Sequence, residues 1–142
     1  MSVVTSVKAL AGKPAAAVAF ALIFALAIYL RIDFISSVSH HVTHDTTYYD
    51  KMVRQLLDHG VYGYKSEAPN AQVAPGYPLF MAAVYKMVGY ADHDPYPAIR
   101  YIQALMSLVT MAIAARIAHR LGGTIAALAT SAAMAVYPPF IW

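Results

Sequence analysis

Residues 116–123 read R-I-A-H-R-L-G-G, and this short stretch decides how the C-terminal third of the chain folds. On its N-terminal side lies the apolar run Y-I-Q-A-L-M-S-L-V-T-M-A-I-A-A, residues 101–115. On its other side lies G-T-I-A-A-L-A-T-S-A-A-M-A-V-Y, residues 123–137, leading into P-P-F-I-W. Two apolar runs joined by so short a polar connector, with a Gly-Gly pair in it, predict a tight helical hairpin. Arg116, His119 and Arg120 stand at the bend. The second arm is rich in small residues, including Ala126, Ala129, Ala132 and Ala133, and such a face allows close helix packing in lipid.

A third apolar run occupies A-A-A-V-A-F-A-L-I-F-A-L-A-I-Y-L, residues 15–30, between Lys8 and Lys13 on one side and Arg31 on the other. It is shorter than the roughly 20 residues of a typical span, and flanking side chains that snorkel can extend it. An A-x-A site at Ala25-Leu26-Ala27 would also fit a cleaved signal peptide. The apolar character continues through Ile28, Tyr29 and Leu30, which favours an uncleaved span.

Composition agrees. The 142 residues are 60% hydrophobic and 12% charged, with a mean hydropathy of +0.53. Soluble domains carry about 25% charged residues. Cysteine is absent, which excludes disulfides and thiolate metal sites. The net charge of +3 comes from basic residues that are scattered or flank the apolar runs, so no nucleic-acid surface is expected.

The expected fold is therefore all-α, a polytopic integral membrane protein with about three transmembrane helices. Residues 1–14 form a cytoplasmic N-terminus, and the spans cover 15–31, 99–119 and 122–141. The Lys/Arg bias places the N-terminus and the 116–123 bend in the cytoplasm, and the plasma membrane of a prokaryote is the expected location. Residues 32–98 then form a long extracytoplasmic loop.

That loop has its own order. Tyr49, Met52, Val53, Leu56 and Leu57 follow helical i, i+3, i+4 spacing, which predicts a helix over 46–59 capped by Asp45 or Thr46 and stopped by Gly60. Leu79, Phe80, Ala83, Val84 and Met87 predict a second helix over 78–88, stopped by Gly89. Both are expected to lie on the membrane with apolar faces down.

Three features of the loop carry chemistry. Asp45 is either a helix cap or a carboxylate at the membrane boundary that acts as a base. His40, His41 and His44 beside Asp45 are either solvated histidines or a zinc-type set. Asp33 is either a polar flank or a second acid. The many tyrosines of the segment fit an interfacial aromatic belt, with sugar stacking on Tyr62 or Tyr64 as a further use.

The order of elements resembles the GT-C glycosyltransferases, in particular the protein O-mannosyltransferase and lipid A aminoarabinose transferase group. The matching residues are H-D at 44–45 followed by Y-Y-D at 48–50, G-V-Y-G-Y at 60–64, A-P-G-Y-P-L-F at 74–80, Y-K-M-V-G at 85–89, and Arg100 and Gln103 opening the next span. The resemblance extends over residues 15–142. It implies transfer of a sugar from a polyprenyl-phosphate donor to an acceptor outside the cytoplasm, with Asp45 as the first-loop carboxylate that acts as general base or orients a cation at the lipid phosphate. Tyr49, Asp50, Tyr62, Tyr64 and Arg100 are the implied substrate-binding residues, with Arg100 or Lys65 near the donor phosphate. Thr46 stands where the family often has a second acid, which shifts that role to Asp50. No metal ligand set or cofactor is required, and a divalent cation at the phosphate is compatible with the carboxylate. Family members have more spans, so the chain is expected to be an N-terminal portion, a truncated relative, or a small protein reusing the module together with helices of a larger assembly. The alternative is a non-enzymatic membrane scaffold or subunit that assembles through its Ala-rich third helix.

Overall fold

The computed structural model describes residues 13–37, 44–138 and 141. Among the described residues every regular element longer than a single turn is an α-helix: α1 (Lys13–Ser37), α2 (His44–His59), α3 (Gly76–Val88) and α4 (Tyr96–Val136). The chain divides into two compact units, one of Met1–Val38 with Arg100–Trp142, the other of Ser39–Ile99.

In the first unit, α1 is longer than the expected 15–31. Pro14 fits in its first turn because no backbone N–H is needed there. At the other end the Ser36 hydroxyl donates to the Ile32 carbonyl at 2.8 Å, which satisfies a late carbonyl and carries the helix past Arg31. Its 25 residues span about 37 Å. The spans expected at 99–119 and 122–141 correspond to the two arms of α4, which join at the Gly-Gly pair, and the second arm ends at Val136, short of the expected 141. Only Gly123 leaves helical geometry, with φ 72° and ψ −166°. That combination is essentially restricted to glycine, because a Cβ would collide with its own backbone.

The break at Gly123 reverses the chain. The Arg31 guanidinium donates to the Ser107 hydroxyl from Nε at 2.6 Å and to the Met134 carbonyl from Nη2 at 3.5 Å. In an unbroken helix those two positions would stand about 40 Å apart. One side chain reaches both only if the arm after Gly123 folds back along the arm before it. Ala27, Met111 and Ala135, all fully buried, form the apolar core where α1 and the two arms meet, with Ile23, Phe24, Leu108 and Met134 packed around it. Arg31 is 1% exposed, and its third bond runs back to the Ala27 carbonyl at 2.9 Å.

Elsewhere the surface of this unit is apolar. Leu22 is 66% exposed, and Val18, Leu26, Ile28, Leu105, Val109, Ile113 and Ile117 are also exposed. By length and composition α1 and α4 are the two described helices able to cross a membrane.

In the second unit α2 and α3 begin two residues earlier than the sequence predicts and end where it predicts. Gly60 and Gly89 close them with φ of 70° and 86°, and their N–H groups donate to Leu56 and Tyr85 carbonyls. One expectation needs correction. Asp45 lies in the first turn of α2 rather than at its cap, and Thr46 lies deeper still. Met52 and Val53 of α2 and Met81, Val84 and Tyr85 of α3 are buried where the two helices pack on each other. A partner helix supplied by the same loop covers those side chains as well as lipid would. Leu79, Met87 and Val88 of α3 stay exposed.

Candidate functional site

Within the second unit the tyrosines fall into two groups, on α2 and the segments packed against it. The first begins at Asp45. Tyr64, in the loop after α2, donates its hydroxyl to Asp45 Oδ1 at 3.1 Å. Its ring meets Tyr48 edge-on with centroids 5.8 Å apart, and Tyr49 at 5.6 Å. Tyr49 continues to Tyr77 at 5.4 Å, and Tyr77 to Phe80 at 6.2 Å. The result is an aromatic wall with an exposed carboxylate at its rim. Lys65 adds a cation, its Nζ 4.5 Å from the Tyr48 ring centroid and 5.2 Å from that of Tyr64. Partial desolvation and then the bond to Asp45 raise the Tyr64 phenol above its ordinary pKa, while Lys65 acts in the opposite sense.

The loop that delivers Tyr64 is held by its own backbone. Asn70 donates its N–H to the Tyr62 carbonyl, and its side chain bonds both the N–H and the carbonyl of Tyr64 at 3.2 Å. Gly63 is buried where the loop turns back: an added Cβ would lie 2.6 Å from the carbonyl oxygens of both Ser66 and Ala68. Only a residue without a side chain permits that approach.

The second group surrounds Asp50. Its carboxylate accepts two bonds from Arg54 Nε at 3.1 and 3.0 Å, and a third from the Tyr85 hydroxyl at 2.6 Å. Arg54 also donates to the Tyr90 carbonyl at 2.6 Å and lies 5.7 Å from the ring centroids of both Tyr85 and Tyr90. Tyr90 returns a bond to Asp58 at 2.8 Å, and Tyr96 donates to the Thr46 carbonyl at 2.9 Å. These bonds tie α2 to α3 and to the start of α4. Burial of Tyr85, then its bond to Asp50, push its phenol well above the ordinary tyrosine range.

The sign of the resulting pH effect is fixed. A phenol whose pKa is higher folded than unfolded keeps its contribution below about pH 10 and loses it as pH rises further. The second unit is expected to lose stability above about pH 10. Tyr85→Phe, which has no proton to lose, should flatten that part of the curve when protease resistance of the full chain is followed against pH.

The structure thus brings three of the expected site residues together, Asp45, Tyr49 and Tyr64. Asp50 belongs to the second group and acts as an internal anchor. Tyr62 is half-buried, and its hydroxyl donates to the Val73 carbonyl at 2.8 Å, which pins the loop rather than presenting a stacking surface. Arg100 belongs to the first unit. Asp33 is exposed on α1 and accepts a bond from Ser37 at 3.4 Å. His40 and His41 lie outside the described residues. Tyr48 and Tyr77 join the wall without having been singled out as binding residues. Their signal was present: Tyr48 precedes Tyr49, and Tyr77 sits in the Pro-Gly-Tyr-Pro turn that starts α3.

Comparison with known protein families, curated proteins and solved structures returned no match.

Proposed function

We propose that the chain is a three-span membrane protein of GT-C glycosyltransferase type, transferring a sugar from a polyprenyl-phosphate donor to an extracytoplasmic acceptor. The observation that carries this is the exposed Asp45 carboxylate at the rim of the Tyr48–Tyr49–Tyr64–Tyr77 wall. Apolar sugar faces stack on aromatic rings, and a carboxylate beside them is placed to take a proton. The acceptor hydroxyl attacks the anomeric carbon and its proton passes to Asp45. The bond from that carbon to the phosphate oxygen breaks, and polyprenyl phosphate leaves with the electron pair. Lys65 supplies positive charge to the leaving phosphate. The test is transfer from radiolabelled polyprenyl-phosphate mannose and aminoarabinose in native membranes, with loss of transfer in an Asp45 variant. No transfer from either donor by the natural gene product would overturn the assignment.

Exposed apolar side chains along α1 and both arms of α4 support three spans, as do the bonds from Arg31 to both arms. With the N-terminus cytoplasmic, residues 32–98 lie outside and the exposed Arg116 and Arg120 lie inside. A cysteine replacing Ser66 should react with a membrane-impermeant thiol reagent on intact cells, and one replacing Leu121 only after lysis. Both positions are exposed, so burial does not confuse the result. The opposite pattern would invert the topology.

A second reading draws on one observation: Ala129, Ala132 and Ala133 face outward on the last arm. A non-enzymatic subunit that packs against other membrane helices would use that face. Bulky substitutions there would then disrupt assembly, and no donor would be consumed.

A further inference from the structure

We propose that the rings of Tyr48 and Tyr64 form an aromatic cage for an ammonium group, and that Lys65 is its resident occupant, displaced when an external ammonium enters. The two rings meet at 61° with centroids 5.8 Å apart, which makes a wedge rather than a flat stack. Lys65 Nζ sits in that wedge, within cation–π distance of both faces. Tyr49 backs the Tyr64 ring at 5.6 Å. Because Tyr64 donates its hydroxyl to the Asp45 carboxylate, its ring is the more electron-rich, and the carboxylate adds a negative field at the rim. Aromatic faces and a carboxylate attract a cation and repel a phosphate, so the cage selects the ammonium end of a ligand.

Two features mark Lys65 as a replaceable occupant. Its backbone has φ 55°, in the left-handed region that a lysine rarely adopts. The framework that shapes the cage does not depend on its side chain: Asn70 clamps Tyr64, Tyr62 bonds Val73, and Gly63 closes the turn. The ammonium group therefore leaves by rotation about its own side-chain bonds, and the rings stay in place. Suitable ligands are the choline or ethanolamine headgroup of a lipid, or a soluble amine. The cage shares Asp45, Tyr48, Tyr64 and Lys65 with the wall proposed for sugar transfer, and its test reads amine binding alone, so either reading can fail without the other.

The experiment uses the full chain in lipid nanodiscs with 13C-labelled tyrosine rings, titrated with tetramethylammonium. In phosphatidylglycerol discs the Tyr48 and Tyr64 signals should shift saturably. Lys65→Met and Lys65→Gly should bind about 3-fold tighter than wild type, since the internal competitor is gone, and glycine also suits the positive φ. Asp45→Asn should bind about 3-fold more weakly. Phosphatidylcholine discs that already hold the shifted signals would identify a lipid headgroup as the ligand. Equal titration in both discs would identify a soluble amine. The proposal is overturned if tetramethylammonium leaves both rings unmoved, if neutral tert-butanol shifts them equally, or if neither Lys65 variant binds more tightly.

Discussion

Asp45→Asn should leave the second unit folded and lower sugar transfer by about 100-fold or more, the usual scale for loss of a general base. The expectation follows from what the side chain does in the structure. Among the described residues it accepts a bond from the Tyr64 hydroxyl, and an asparagine carbonyl accepts that bond as well as a carboxylate does. Asparagine also tolerates the start of a helix, so α2 loses only a modest favourable interaction between a negative charge and its N-terminal dipole. What it loses entirely is the ability to take a proton at neutral pH. Tyr64→Phe is the companion variant. It keeps the ring contacts with Tyr48 and Tyr49 but releases the carboxylate, and should cost less, about 10-fold. Transfer at the wild-type rate by a well-folded Asp45→Asn protein would return Asp45 to a purely local role in the first turn of α2.

Asp50→Ala should act on the fold instead, destabilising the second unit by about 3 kcal/mol. The Tyr85 hydroxyl is fully buried, and losing its acceptor leaves an unsatisfied donor at a cost of about 1–3 kcal/mol. The Arg54 pair, partly exposed and one helical turn away, adds only a few tenths. Hydrogen exchange over residues 44–99 of the full chain would measure the loss. Tyr85→Phe in the same background should recover part of it, because the orphaned hydroxyl is then absent, and the two changes should be clearly less than additive. Native protection in Asp50→Ala combined with lost transfer would restore Asp50 to the substrate.

The contrast between these two aspartates shows what a sequence discloses here. The helices were legible because their signals are local: apolar spacing for α2, Gly60 and Gly89 as stops, and apolar runs for α1 and for each arm of α4. The reversal was legible for the same reason, since Gly-Gly after R-I-A-H-R-L names the place where the backbone can leave the helix. Partners were not. Asp45 and Asp50 sit five positions apart on one helix, yet one meets Tyr64 and the other Tyr85 and Arg54. Which tyrosine reaches which carboxylate depends on how α2 packs on α3 and on how the 60–70 loop turns back. No spacing rule along the chain encodes that packing. An amphipathic pattern is satisfied equally by a lipid surface and by a neighbouring helix: Met52 and Val53 are buried where α2 packs on α3, while Leu79 and Met87 stay exposed.

Arg31 carries a consequence for how the protein is made. Its acceptors belong to three generations of the growing chain: the Ala27 carbonyl is present as soon as α1 forms, Ser107 follows long afterwards, and Met134 comes near the end of synthesis. A guanidinium stays charged throughout, and a cation on a lone helix within the bilayer is costly. During the interval α1 has only its own backbone and the nearby interface, toward which a long side chain can stretch, to keep that charge hydrated. In the three-span reading proposed above, the newly inserted helix would be held in a shallow, waiting position. It would settle only when the last arm turns at Gly123 and brings the Met134 carbonyl, and the order of synthesis would then be the order of assembly.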